Sequence, residues 1–174
     1  MSFQLGVDLG TTFTAAAVAR GGRVEISSLD YRTAAIPSVV WVGADGTVVI
    51  GQAALNRGLS DPSRMAREFK RRLGDPTPLL LGGTPFSADT LTERLLKVVT
   101  DTVGTVEGGA PDSVTVTHRA NWGPYKKDLL AQAVRRVGLD GSALRSDPEA
   151  AAIYYASTEK MSPGEVLSVY DPGG

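Results

Sequence analysis

One stretch, Leu5-Gly6-Val7-Asp8-Leu9-Gly10-Thr11-Thr12, restricts what the chain can fold into more than any other. An apolar-alternating run ends there in Gly-Thr-Thr, and a second run, Ala15-Ala16-Ala17-Val18-Ala19, follows almost at once. Two short strands joined so tightly make a hairpin whose loop carries Gly10, Thr11 and Thr12. Gly10 has no Cβ, so the backbone there can approach a ligand closely. Successive N–H groups in such a turn form a nest for phosphate oxygens, and the threonine hydroxyls add donors. Asp8 is expected to point into the same mouth, where a carboxylate can hold hydrated Mg²⁺. A plain hairpin with polar turn residues is the competing reading of Asp-x-Gly-Thr taken alone.

The rest of the composition narrows the class. With 174 residues, 42% of them apolar, the chain can build a real core as one domain or as a large lobe with an insert. A formal charge of -1 without any basic block argues against nucleic acid as a partner. No cysteine occurs and His118 stands alone, which excludes disulfides and thiolate or histidine-built metal sites. No run approaches the length of a membrane span, and Met1-Ser2-Phe3-Gln4 lacks the regions of a secretory signal. The expectation is a cytoplasmic protein that does not engage a membrane. Neither a dinucleotide fingerprint nor a Walker-type phosphate loop is present.

Along the chain, Val24-Glu25-Ile26 reads as a third strand of an N-terminal meander. Val39–Val42 and Val48–Ile50 flank Asp45-Gly46, a strong hairpin signal. A short helix is expected from Gly51 to about Gly58, and a second from Ser63 to Leu73, introduced by Ser60-Asp61-Pro62. The second carries Arg64, Arg67, Lys70, Arg71 and Arg72, which by themselves read as a solvated face. Asp75-Pro76-Thr77-Pro78 is a loop, and Ser87 caps a helix with Leu91, Leu95, Val99 and Val103 on its buried face. Strands at 114–117, around Leu144 and at 166–170 alternate with helices opened by Pro124 and by Asp147-Pro148-Glu149. The first of these helices turns Leu130, Val134 and Val137 inward and stops at Gly138. Ala150, Ala151, Ala152 and Ala156 in the second would permit close packing on a sheet. Such alternation requires parallel neighbours, so the sheet is mixed.

Two Asp-ended strands, each followed by small residues, therefore stand far apart in sequence: Asp8-Leu9-Gly10-Thr11-Thr12 and Asp171-Pro172-Gly173-Gly174. The pair resembles the phosphate loops of the actin-like ATPase clan, and most closely those of the Hsp70 chaperones. Ile36-Pro37-Ser38-Val39-Val40, Val49-Ile50-Gly51-Gln52-Ala53-Ala54, Phe69-Lys70-Arg71-Arg72-Leu73-Gly74 and Asp147-Pro148-Glu149-Ala150-Ala151-Ala152 are similar to further motifs of that family, in the same order. The resemblance implies a ribonuclease H-like α/β body, residues 1–36 and 110–174, with a small α+β insert at 37–109. It implies ATP or ADP with Mg as cofactors. Gly10, Thr11, Thr12, Gly173 and Gly174 would hold phosphates, and Asp8 and Asp171 would hold Mg²⁺ through its water shell. Lys70 would reach the γ-phosphate from the insert, which sets it apart from its arginine neighbours.

The departures are informative. Asp147 stands where the family has Glu, to position metal and water, and could equally be an N-cap ahead of Pro148. In the hinge, Thr117-His118-Arg119-Ala120-Asn121-Trp122, Arg119 replaces a proline, and Lys127 sits at the position of a family arginine. Phe13 and Pro172 replace Asn and Leu. The resemblance covers only the first lobe. The full-length parent would be an ATP hydrolase with a second lobe, a peptide-binding domain, unfolded polypeptide clients and co-chaperones, while this chain alone is expected to hydrolyse ATP negligibly. The alternatives are a non-catalytic actin-fold interaction module and a sugar-kinase-like member of the clan. For the latter, the insert lacks a sugar-binding set of polar residues.

Overall fold

The computed structural model describes residues 2–30, 33–158 and 168. Strands β1 (Gln4–Leu9) and β2 (Phe13–Arg20) form the expected antiparallel hairpin, in register from Gln4↔Ala19 to Leu9↔Thr14. The alternation that suggested them is the alternation of burial: Leu5, Val7 and Leu9 face the core opposite Ala16 and Val18. β3 (Arg23–Ser27) completes the meander along β2. β4 (Ala35–Pro37) pairs with the start of β2, Phe13↔Pro37, and so runs beside the Gly-Thr-Thr loop.

The next hairpin is β5 (Val40–Val42) with β6 (Val48–Ile50), Val42↔Val48 closing on the Asp-Gly turn. Helix α1 (Gly51–Ser60) runs slightly past the expected stop. The helix expected over 63–73 does not form. The chain instead makes a 3₁₀ turn at Pro62–Arg64, a two-residue strand β7 (Met65–Ala66) paired with β5, and a second 3₁₀ turn at Phe69–Arg72. Pairing with β5 holds Met65 and Ala66 extended, and Glu68 lies in the left-handed region at φ 53°, which no right-handed helix can pass through. The arginines stay at the surface in local pairs, Arg64 with Asp61, Arg71 with Glu68 and Arg72 with Asp75 at 3.0, 3.0 and 3.1 Å.

A small hairpin, β8 (Leu79–Leu81) and β9 (Thr84–Phe86), leads to α2 (Ala88–Glu107). Ser87 caps it by accepting the Thr90 N–H at 3.0 Å, and Leu91, Leu95, Val99 and Val103 are all buried. β10 (Ser113–His118), α3 (Pro124–Arg136) and β11 (Ala143–Ser146) follow, then α4 (Asp147–Thr158). The main sheet has the order β11-β10-β1-β2-β3, with β4 on β2; β1, β10 and β11 are parallel and the rest antiparallel. α2 packs on α3 and on the Phe69–Arg72 turn.

The close packing expected of α4 is not seen among the described residues: it neighbours β10 and β11 but buries none of its own residues. The strand expected over 166–170 falls, apart from Ser168, outside the described residues, as do Asp171, Gly173 and Gly174. No described helix is long and apolar enough to cross a membrane.

The broken helix is testable. Glu68→Gly is expected to raise stability by about 1 kcal/mol, because glycine relieves a left-handed backbone and an exposed ion pair is worth little. A continuous helix over 63–73 would make the same substitution cost about 1 kcal/mol instead. Urea unfolding gives the sign.

Candidate functional site

The Gly10-Thr11-Thr12 loop is fixed by the residue that follows β4. Ser38 donates its backbone N–H to the Thr12 carbonyl at 2.8 Å and its hydroxyl to the Gly10 carbonyl at 2.8 Å. A hydroxyl has one proton to give, so the 2.8 Å contact between Thr14 Oγ1 and Ser38 Oγ must be donated by Thr14. Ser38 and Thr14 are both buried, so the bond between their hydroxyls is made away from water. Gly10 is needed for the loop as well as for any ligand, since a Cβ there would run into the Phe13 carbonyl oxygen. Thr11 is half-buried and Thr12 exposed.

Parallel pairing of β1 with β10 sets the next contact. Gly6 lies beside Thr115 and Val7 beside Val116. One step on, Thr117 Oγ1 donates to Asp8 Oδ1 at 2.9 Å, which orients a carboxylate that remains exposed.

Lys70 is the unusual residue, a lysine only 3% exposed. Its neighbours explain how it is held there. Phe69 and Leu73, both 1% exposed, anchor the 3₁₀ turn in the core, and the Gly74 N–H donates to Asp89 of α2 at 3.3 Å. Burial pushes the Lys70 ammonium down from 10.5 to about 8; Asp147 and Asp8 pull it back up, and Arg119 pushes it further down. Its Nζ lies 5.3 Å from the centre of the Trp122 ring. Asp8, Lys70 and Asp147, distant in sequence, therefore share one electrostatic neighbourhood.

Asp147 is not the N-cap of α4. Ser146 takes that position: its Oγ accepts the Glu149 N–H at 3.3 Å while Glu149 accepts the Ser146 N–H at 3.3 Å, a reciprocal capping box. The Asp147 carboxylate is left for other work. Its Oδ1 is buried without a hydrogen-bond partner among the described residues.

A cavity of about 410 Å³ opens beside these groups, lined by Thr11, Lys70, Arg119, Trp122 and Lys126 among others. Trp122 is its apolar wall, stacked on buried His118 with centroids 6.1 Å apart. His118 Nδ1 donates to the Arg119 carbonyl at 2.9 Å, which fixes the tautomer because a carbonyl only accepts.

Comparison with known proteins supplies the family. The Hsp70 protein family matches residues 4–78, from β1 through the Lys70 turn. The chaperone protein DnaK of Elusimicrobium minutum (strain Pei191) is 30% identical over 180 residues, covering 100% of this chain and 29% of that protein. Both matches support this chain's membership of the Hsp70 family. Its mixed sheet and the four helices among the described residues are the α/β architecture of the first lobe of the actin-like Hsp70 ATPase domain. It spans 29% of the length of its DnaK relative.

The sequence indicated Asp8, Gly10, Thr11, Thr12, Lys70 and Asp147, and the fold gathers them at one end of the sheet. Asp171, Gly173 and Gly174 lie outside the described residues. Sequence reasoning missed Ser38, Thr117 and Trp122 as site residues, and it treated Arg119 only as a lost hinge proline. Lys127 is exposed, and the cation that α3 brings to the cavity is its neighbour Lys126. The parallel register could have revealed Thr117, since it stands one step past Val116 as Asp8 stands one step past Val7.

Two measurements follow from this geometry. Ser38→Ala strands the Gly10 carbonyl and the Thr14 hydroxyl, so it is expected to cost about 1–3 kcal/mol in urea unfolding. Adding Thr14→Val should cost less than the sum of the single changes, because the two hydroxyls form one network. For Lys70, below pH 8 the ammonium is charged both folded and unfolded, and the folded state carries the full burial penalty. Between about 8 and 10.5 only the unfolded chain keeps the proton, so stability climbs with pH across that window. Lys70→Met should lose that rise; parallel stability-against-pH curves for the two proteins would contradict it.

Proposed function

We propose that this chain is the first nucleotide-binding lobe of an Hsp70-type chaperone ATPase, with residues 1–36 and 110–174 as its ribonuclease H-like body and 37–109 as the insert that delivers Lys70. The observation that carries this reading is the buried Lys70 ammonium set among Asp8, Asp147 and the cavity that Thr11 lines. A cation kept from water at such cost is suited to an anion that replaces its hydration.

Mg-ATP supplies the phosphoanhydride and the divalent charge. The chain's own residues bind and orient. Gly10, Thr11 and Thr12 hold phosphate oxygens through N–H and hydroxyl donors, joined by Gly173 and Gly174. Asp8, oriented by Thr117, holds Mg²⁺ through its waters together with Asp171. Lys70 stabilises charge developing on the γ-phosphoryl oxygens. Asp147, with its unpartnered oxygen, orients the attacking water in place of the family's longer Glu. The partners of the full-length protein are the second lobe, a peptide-binding domain, unfolded polypeptide clients and co-chaperones, and its setting is the cytoplasm.

Fixed donors act strongly only where water is excluded, and this lobe covers one side of such a cleft. Negligible turnover by the isolated chain is therefore expected. Calorimetry with Mg-ADP and Mg-ATP tests the binding site: Lys70→Ala should weaken Mg-ATP more than Mg-ADP, because it removes a γ-phosphate contact. Equal affinities in the two proteins, or steady turnover by the isolated chain that Lys70→Ala abolishes, would overturn this assignment. A non-catalytic interaction module is the second reading, favoured by the shorter reach of Asp147; it requires a parent protein that binds nucleotide without hydrolysing it.

A further inference from the structure

We infer that Arg119 and Lys70 form a two-cation subsite for a phosphate oxyanion in the cavity beside Thr11, with Arg119 serving a role that the proline it replaces cannot. The inference deepens the nucleotide-lobe reading and rests on it for the identity of the phosphate. Arg119 opens the turn that leaves β10. Its carbonyl accepts both the His118 Nδ1 proton at 2.9 Å and the Trp122 N–H at 3.2 Å, so the backbone is pinned at the cavity wall. Its side chain lines the same cavity as Lys70 and Thr11.

Charge is what makes the arrangement informative. Lys70 and Arg119 are near enough to repel, yet no carboxylate among the described residues lines the cavity they share. Asp8 and Asp147 act on Lys70 but are not among the lining residues. Arg119 makes no ion pair with any described residue. The other cations at the rim differ: Arg71 is paired with Glu68 at 3.0 Å, and Lys126 donates to the Arg71 carbonyl at 3.4 Å and lies 5.9 Å from the Trp122 ring centre. Asp8 and Asp147 balance part of this charge from outside the cavity, but within it no described carboxylate stands between the two cations, and an anion entering there is stabilised by both. A guanidinium offers a planar fork matched to phosphate oxygens, and Lys70 adds a point charge. The cavity, at about 410 Å³, has room for a phosphate with its water. That phosphate is either the terminal group of a nucleotide or free inorganic phosphate, and the same chemistry serves both.

The chain has two tryptophans, so Trp41→Phe leaves Trp122, in the cavity wall, as the only indole reporter. In that background inorganic phosphate is titrated by fluorescence, and Mg-ATP and Mg-ADP by calorimetry, with and without Arg119→Gln. Loss of one charge-assisted contact should weaken phosphate and Mg-ATP about tenfold and leave Mg-ADP within about twofold, a discrimination that a merely structural change would not produce. Arg119→Lys, which keeps the charge but loses the fork, should fall between, and it carries the test if Arg119→Gln does not fold. Weakening of free phosphate alone assigns the subsite to inorganic phosphate. Unchanged phosphate and Mg-ATP affinities overturn the subsite while leaving the nucleotide reading standing. Arg119-dependent phosphate binding without any nucleotide binding does the reverse. A chain that binds neither phosphate nor nucleotide overturns both.

Discussion

Burial of the Lys70 ammonium is the constraint on which the rest of the site depends. A lysine is seldom taken out of water, and here it is done by neighbours that have no choice of position. Phe69 and Leu73 enter the core on either side of it, and the left-handed Glu68 just before it turns the chain so that both can do so. The opposing charges of Asp147 and Asp8 offset part of the cost, and Arg119 adds to it. A phosphate entering beside Lys70 and Arg119, as proposed, would offset more of that cost.

The sheet explains why those groups meet. β1, β10 and β11 are parallel neighbours, so they end on the same edge. Asp8 and Gly10 stand at the end of β1, Thr117 and Arg119 at the end of β10, and Asp147 immediately after β11. In open α/β sheets ligands sit outside the carboxyl ends of parallel strands, because the loops there can vary while the strands stay fixed. The antiparallel strand β4 adds Ser38 to the same edge, bracing the Gly10–Thr12 loop. The insert then brings Lys70 to groups already aligned. The site is thus assembled from strand ends, and its precision is inherited from the register of the sheet.

What the sequence made legible is what depends on local pattern. Alternation in 4–9 and 13–20, the Asp45-Gly46 turn and the Leu91–Val103 spacing each specify an element through neighbours a few residues away. The strand–helix alternation after residue 110 was enough to require parallel pairing. The 63–73 segment failed because basic residues are acceptable in a helix, while the pairing of Met65 and Ala66 with β5 is a tertiary contact that no window reveals. The roles of Ser38, Thr117 and Arg119 are likewise contacts across long stretches of chain. Asp147 is a different case: Ser146-x-x-Glu149 is a capping signal in plain view, and it displaces the cap by one residue. Family resemblance, and no property of the basic run itself, singled out Lys70 among the arginines.

The protonation state of one amine separates this site from an ordinary surface lysine. Carbon-13 NMR of the Lys70 Cε, assigned by comparison with Lys70→Met and followed through an alkaline titration, reports that state directly. A midpoint near the expected value of about 8 would place the ammonium in the buried, mutually charged setting described. A midpoint at the ordinary 10.5 would put Lys70 in water, and with it would go the electrostatic neighbourhood it shares with Asp8, Asp147 and Arg119.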